Sequence, residues 1–259
     1  VTALPWPLRA LVLAALVLLY YKYAKTALFA ACRRAAHLLP FAGRWDASER
    51  GSVLELAAAG ASHVLVVILL ALVTGIDVGG LPTGWNRPDL IGLGAAIGVG
   101  EVALGSLLCR VLIEGVQARG RRHASARALP ATAAGQERMR QWLGLSRGGW
   151  IRHHLKTMEV VSLPLAVMLT AVQVGSEEVV FRGLMLTWLR DAGPLLAIGL
   201  SCLLFTVMQV FLMSSWRAAM FPVVGAIVMG VTHSVLYWHY PALIPLMVAH
   251  VTFFLFAVA

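Results

Sequence analysis

Glu177 and Glu178 are adjacent carboxylates, followed by Arg182, in the stretch Gly175-Ser176-Glu177-Glu178-Val179-Val180-Phe181-Arg182-Gly183 of a chain that is 59% hydrophobic and 13% charged. Ionisable side chains within a bilayer cost a few kcal/mol or more each, so they are kept where they do chemistry or pair with one another. On a helix, Glu178 and Arg182 stand four apart on one face and form an ion pair, while Glu177 is turned about 100° away and stacks above Phe181. The spacing predicts one bridged carboxylate and one free one. A free glutamate in apolar surroundings can serve as a general base, drawing a proton from water, driving attack on a peptide carbonyl and returning the proton to the leaving amine. That chemistry also needs a donor for the oxyanion.

Three polar residues in apolar company downstream are candidates for that assistance: Gln209, His233 and His250. His250 is the strongest, because it sits centrally in an apolar span with no other strongly polar residue nearby in sequence. Glu177, His233 and His250 would also make the two-histidine, one-carboxylate set of a catalytic zinc. The chain has no HExxH, and those three residues come from separate helices, so the expectation is no cofactor, with zinc the weaker reading. Glu101, mid-span, is equally compatible with a hydrogen bond between helices. His63 is read as a packing or interfacial histidine, and His153 and His154 as exposed at the membrane surface.

Several windows of about 18 or more residues with few charges can each cross a hydrocarbon core of roughly 30 Å, and no alternation points to a barrel. With a mean hydropathy of +0.81, the fold class is all-α, a polytopic membrane protein of about seven to eight transmembrane helices. The apolar runs fall at about Leu8–Phe29, Val53–Thr74, Leu90–Ile113, Met158–Val174 continuing as helix to Leu189, Leu195–Met213, Phe221–Trp238 and Leu243–Val258. Gly175 marks a possible bend, and Asp191, Gly193 and Pro194 a break. The first run is long and followed by lysines and arginines, which fits a retained span better than a cleaved signal peptide.

The net charge of +9 comes mainly from two segments, Lys22 to Arg50 with six Lys or Arg and Arg110 to Lys156 with ten. By the positive-inside rule both are cytoplasmic loops, touching anionic headgroups, and the second includes an amphipathic helix around Gln136 to Leu145. No aromatic-interleaved basic module is present, which argues against nucleic acid as a partner. Cys32, Cys109 and Cys202 lie singly and read as small packing residues. Gly92, Gly94, Gly98, Gly100 and Gly105 give the third span a small face for close helix packing. The abundance of Ala and Arg with little Lys suits a bacterial inner membrane.

Glu-Glu-Val-Val-Phe-Arg-Gly, followed about thirty residues later by Phe-x-x-x-Gln and then by Pro-Leu-Met-Val-Ala-His, resembles the membrane family of CAAX prenyl proteases and bacteriocin-processing enzymes (CPBP, or Abi). The resemblance covers roughly Met158 to Ala259, and the earlier spans share with the family only their hydrophobicity. It divides the chain into N-terminal spans with two basic loops (1–157) and a CPBP-like catalytic core (158–259) within one membrane domain. It implies a glutamate-type intramembrane endopeptidase acting on a membrane-associated or lipidated peptide, with Glu177 as the base, Glu178 and Arg182 bracing it, and His250 as an oxyanion donor. Gln209 stands where the family's FxxxH motif has histidine, and Phe254 where the last motif has asparagine. The alternative implied by those departures is a catalytically impaired pseudoenzyme, a membrane immunity, scaffold or assembly factor on the same fold.

Overall fold

The computed structural model describes residues 4–38, 45–123, 144, 152–211 and 213–258, which form helices and turns and no strand. Along these residues run α1 (Trp6–Leu38), α2 (Ala47–Thr74), α3 (Asp89–His123), α4 (Arg152–Val160), α5 (Leu163–Leu186), α6 (Pro194–Val210), α7 (Trp216–His239) and α8 (Leu243–Val258). Of these, α1, α2, α5, α7 and residues Asp89–Val116 of α3 are long and apolar enough to cross a membrane, while α6 and α8 are shorter apolar helices. The chain is an all-α polytopic membrane protein, since in lipid each segment must satisfy its own backbone. The amphipathic helix expected around Gln136 to Leu145 lies outside the described residues apart from Gly144.

The sequence marks several helix ends by local chemistry. Asp46 caps α2 through a reciprocal box, its carboxylate accepting from the Glu49 amide at 2.8 Å and the Glu49 carboxylate from the Asp46 amide at 2.8 Å. Gly75 ends the same helix at φ 70°, a left-handed conformation in which a side chain would be strained. The loop that follows reaches the far end of the chain. Carbonyls of Pro82 and Thr83 accept from the amides of Leu243 and Ile244 at 3.1 and 2.9 Å, satisfying donors at the start of α8.

Two expectations need correction. The segment from Lys22 is not loop but continues α1 to Leu38, because its inner face still packs: Lys25, Phe29, Cys32 and Ala36 are buried, and Arg33 reaches the buried Glu55 of α2 at 2.6 Å. Gly175 does not bend α5, which is regular through Glu178. The irregularity comes one turn later, where Val179–Leu186 is a π-helix. A second π segment, Leu18–Ala24, interrupts α1. π-turns widen the helix and commonly occur at functional sites; here Ser201 of α6 donates to the Phe181 carbonyl at 3.0 Å.

Small residues set the spacing of the helices around α8. A Cβ added at Gly94 would lie 2.4 Å from the Pro245 carbonyl oxygen, and one at Gly98 2.4 Å from that of Ala249. The small face expected on α3 is therefore used at these two positions, while Gly92 and Gly100 of the same helix meet nothing within 4 Å. Across the bundle, Gly230 of α7 is packed against Cys202 of α6 and Gly225 against Phe253 of α8. These approaches draw α3, α7 and α8 around the carboxylate-bearing end of α5.

Candidate active site

Glu178 is fully buried and is the hub of the site. Its Oε1 accepts from Arg182 at 3.4 Å, as the four-residue spacing predicts, and lies 2.7 Å from Nδ1 of His250. Its Oε2 is 3.0 Å from Nδ1 of His233, whose Nε2 is 3.2 Å from Glu101. Two carboxylates thus flank His233, and the chain of contacts Glu101–His233–Glu178–His250 ties α3, α7, α5 and α8 together. Arg182 has no exposed surface; its guanidinium stacks 4.3 Å above the Phe205 ring and donates to the Met229 carbonyl at 3.4 Å. The buried cation is held by a carboxylate, a carbonyl and an aromatic face, while its Nε has no hydrogen-bond partner.

Glu177 points elsewhere, as expected for its position on the helix, but it is not without a partner. Its Oε1 lies 3.1 Å from Nε2 of His63, and its Oε2 lies 4.0 Å from Nε2 of His250. The His63 ring is fixed in turn by the Ala59 carbonyl at 2.7 Å and by the hydroxyls of Tyr20 and Tyr21 at 3.0 and 3.1 Å. His63 is therefore no ordinary packing residue. Both tyrosines come from the π segment of α1, and the Tyr21 ring lies 6.3 Å from Phe181 in the π segment of α5.

Beside Glu177 is a small cavity lined by Tyr21, Lys25, Gln173, Met208, Gln209 and Phe254, with His153 and His154 closing it from α4. Its volume is about 20 Å³, room for a water. Glu177, Gln209 and Phe254 share its wall, and His250 adjoins it through Glu177 and the Phe254 ring, whose centroid is 5.5 Å from its own. His153 and His154, expected to be exposed, are buried instead, because α4 folds against α2 and α5 with His154 Nδ1 3.0 Å from the Thr170 hydroxyl. Burial first, and then the Lys25 charge, bring His153 down to about 3; burial and the neighbouring His153 bring His154 well below its ordinary value. Both are neutral near pH 7.

The residues singled out in sequence fall into two groups that meet. Glu177 and Gln209 line the cavity, Glu178 and Arg182 form the brace, and His250 joins the two. The trio Glu177, His233 and His250 does not converge as a zinc set, since both nitrogens of His233 face Glu178 and Glu101. Among the described residues, no group of three or more His, Cys, Asp or Glu has metal-holding geometry. From the first two spans, Tyr21 and Lys25 carried no role in the sequence and His63 read as a packing or interfacial histidine. The available signal was that an ionisable residue within a span is costly unless paired, and it applied to Lys25 and His63 as much as to Glu177.

An all-helical membrane protein with paired carboxylates and histidines buried at the junction of five helices is the class that fold and site define. Residues 159–256 match the family model described as type II CAAX prenyl endopeptidase Rce1-like, a match consistent with the CPBP resemblance. No curated protein and no solved structure matches the chain significantly. The family match supports a CAAX-type intramembrane protease function for this integral membrane protein.

Proposed function

We propose that the protein is a glutamate-type endopeptidase that hydrolyses a peptide bond near the C-terminus of a prenylated or otherwise membrane-associated substrate. The observation that carries this reading is the placement of Glu177 on a water-sized cavity, with His250 Nε2 4.0 Å from its second oxygen and His250 Nδ1 held 2.7 Å from Glu178. Water held at Glu177 gives its proton to that carboxylate while its oxygen bonds to the carbonyl carbon. Negative charge then develops on the carbonyl oxygen. With Nδ1 held against Glu178, the Nε2 edge of His250 faces that oxygen as the candidate donor. Breakage of the C–N bond passes the proton from Glu177 to the leaving amine, so the products are a carboxylate and a free amine.

Phe254 favours a second reading. Its ring lies 4.7 Å from that of His154 and 5.5 Å from that of His250, filling with hydrocarbon the place where the related motif has a donor. An oxyanion site short of one donor works about a hundredfold to a thousandfold more slowly, which describes a slow enzyme or a non-catalytic membrane factor on the same fold.

The deciding experiment is cleavage of a farnesylated peptide with a free C-terminal tripeptide by the full-length protein in lipid nanodiscs, read by mass spectrometry. Release of the tripeptide, lowered about a hundredfold or more by Glu177→Gln, supports the peptidase. Equal release by the variant eliminates Glu177 as base, and an inert wild type that is awakened by Gln209→His establishes the pseudoenzyme. A chelator arm with metal add-back tests for a zinc requirement.

A further inference from the structure

His63 lies in α2, outside the stretch that matches the family model, yet it touches the carboxylate on which the proposed chemistry depends. Its ring orientation is set by atoms whose roles are known. The Ala59 carbonyl oxygen, 2.7 Å from Nδ1, can only accept, so Nδ1 carries hydrogen. A neutral ring in that tautomer presents a lone pair at Nε2. There it meets two oxygens, Tyr21 Oη and Glu177 Oε1, each at 3.1 Å.

The tyrosine can donate to a lone pair, but a carboxylate cannot. A lone pair and an ionised carboxylate 3.1 Å apart in a buried site repel, so the contact holds a proton between them. The arrangement that leaves Glu177 ionised, and so able to act as base, is imidazolium facing carboxylate. The other titratable groups around the pair are Tyr20, Tyr21 and Lys25 of α1, His153 and His154 of α4, and His250 of α8.

Gln209 lines the same cavity in the place where the related motif carries histidine, and an amide cannot take up or release a proton near pH 7. We propose that His63 is the proton-sharing partner of Glu177, supplied by α2 in place of the histidine that Gln209 lacks. His63 is a positioning residue that acts through Glu177. The water proton still moves to Glu177 and on to the leaving amine, and His63 ends a turnover with the protons it held at the start. The assignment rests on the glutamate-base reading, and its test has one arm that does not need turnover.

In the first arm, full-length wild type, His63→Asn, His63→Gln and the His63→Asn/Gln209→His double variant are compared in nanodiscs on the farnesylated peptide. His63→Asn lowers kcat about a hundredfold with KM within about twofold, and the double variant regains at least about tenfold of that loss. Retention of kcat within about twofold in both single variants overturns the assignment. In the second arm, histidine ¹⁵N spectra are recorded on folded wild type and Glu177→Gln, the His63 signals being identified by their loss in His63→Asn or, if that variant fails to fold, in His63→Gln. A shift of His63 Nε2 to the neutral lone-pair position in Glu177→Gln supports the shared proton, and an unmoved signal overturns it. An inert wild type with a shifted signal refutes the peptidase while leaving the His63–Glu177 pair established.

Discussion

Nδ1 of His250 stands 2.7 Å from Oε1 of Glu178, joining residues 72 apart in sequence and fixing α8 to the carboxylate end of α5. The same oxygen accepts from Arg182, and the other faces His233. Glu178 is thus the common counter-charge of three basic side chains, and Glu177 can remain available to the cavity.

Replacing Glu178 with Gln removes that counter-charge and leaves Arg182 buried without its carboxylate. Breaking a buried pair by removing one partner typically costs about 3–5 kcal/mol. Glu178→Gln is expected to lose about that much stability, read by denaturant or thermal unfolding in detergent, and to lose cleavage as well. Glu177→Gln leaves the brace intact and is expected to lose cleavage with a much smaller change in stability. Equal destabilisation by the two variants would contradict the division of labour between them.

The α3–α8 contact gives a prediction that reaches the site through backbone alone. A methyl group at Gly98 would sit 2.4 Å from the Ala249 carbonyl oxygen, one residue before His250, and backbone cannot yield as a flexible side chain does. Gly98→Ala is expected to destabilise by about 1–3 kcal/mol and to lower cleavage by moving His250. Gly92→Ala on the same helix meets nothing within 4 Å and is expected to be neutral or to gain about 0.5–1 kcal/mol from the lower backbone entropy of alanine. Parallel unfolding curves for the two variants test the contrast, and equal behaviour would remove the packing argument.

The docking of α4 is expected to weaken in acid. His153 is held at about 3, below the ordinary histidine value near 6.5, so it is neutral when α4 is docked and takes up a proton more readily when α4 is released. Its contribution is therefore fully present above about pH 6.5 and falls by up to about 1.4 kcal/mol per pH unit as pH drops towards 3. His154 acts in the same direction. Hydrogen exchange over Arg152–Val160 is expected to be faster at pH 5 than at pH 7.5 after correction for intrinsic rates, and His153→Phe to reduce the difference. Equal corrected protection at the two pH values would count against it.

The Glu178–Arg182 pair was legible because both residues lie on one helix, where four-residue spacing dictates contact even through the start of a π segment. The apolar runs were legible for the same local reason, and Leu243–Val258 matches the expected span end for end. What sequence left open was which helices meet. His63 and Lys25 reach Glu177 only because α1 and α2 pack against α5, and His233 joins Glu178 only because α7 crosses it; no local pattern encodes those approaches. His153 and His154 looked exposed beside Arg152 and Lys156, yet those two charges stay partly exposed, paired with Glu55 and Glu159, while the histidines turn into the site.

Phe254→Asn tests whether the proposed site gains more from a donor at this position or from the packing of the native ring. The native ring packs against His154 and His250, with centroids 4.7 and 5.5 Å away, and is almost fully buried. Its removal leaves a cavity and is expected to lower stability by about 2–4 kcal/mol, somewhat less than truncation to alanine. The asparagine amide adds a donor on the wall that Glu177 shares, and one such donor is worth about a hundredfold to a thousandfold in rate when well placed. The expected outcome is a less stable protein with a higher kcat at a temperature where both forms are folded, measured by single-turnover cleavage of the farnesylated peptide. If kcat falls together with stability, the ring of Phe254 is needed to hold His250 in place, and the site depends on its packing more than on a missing donor.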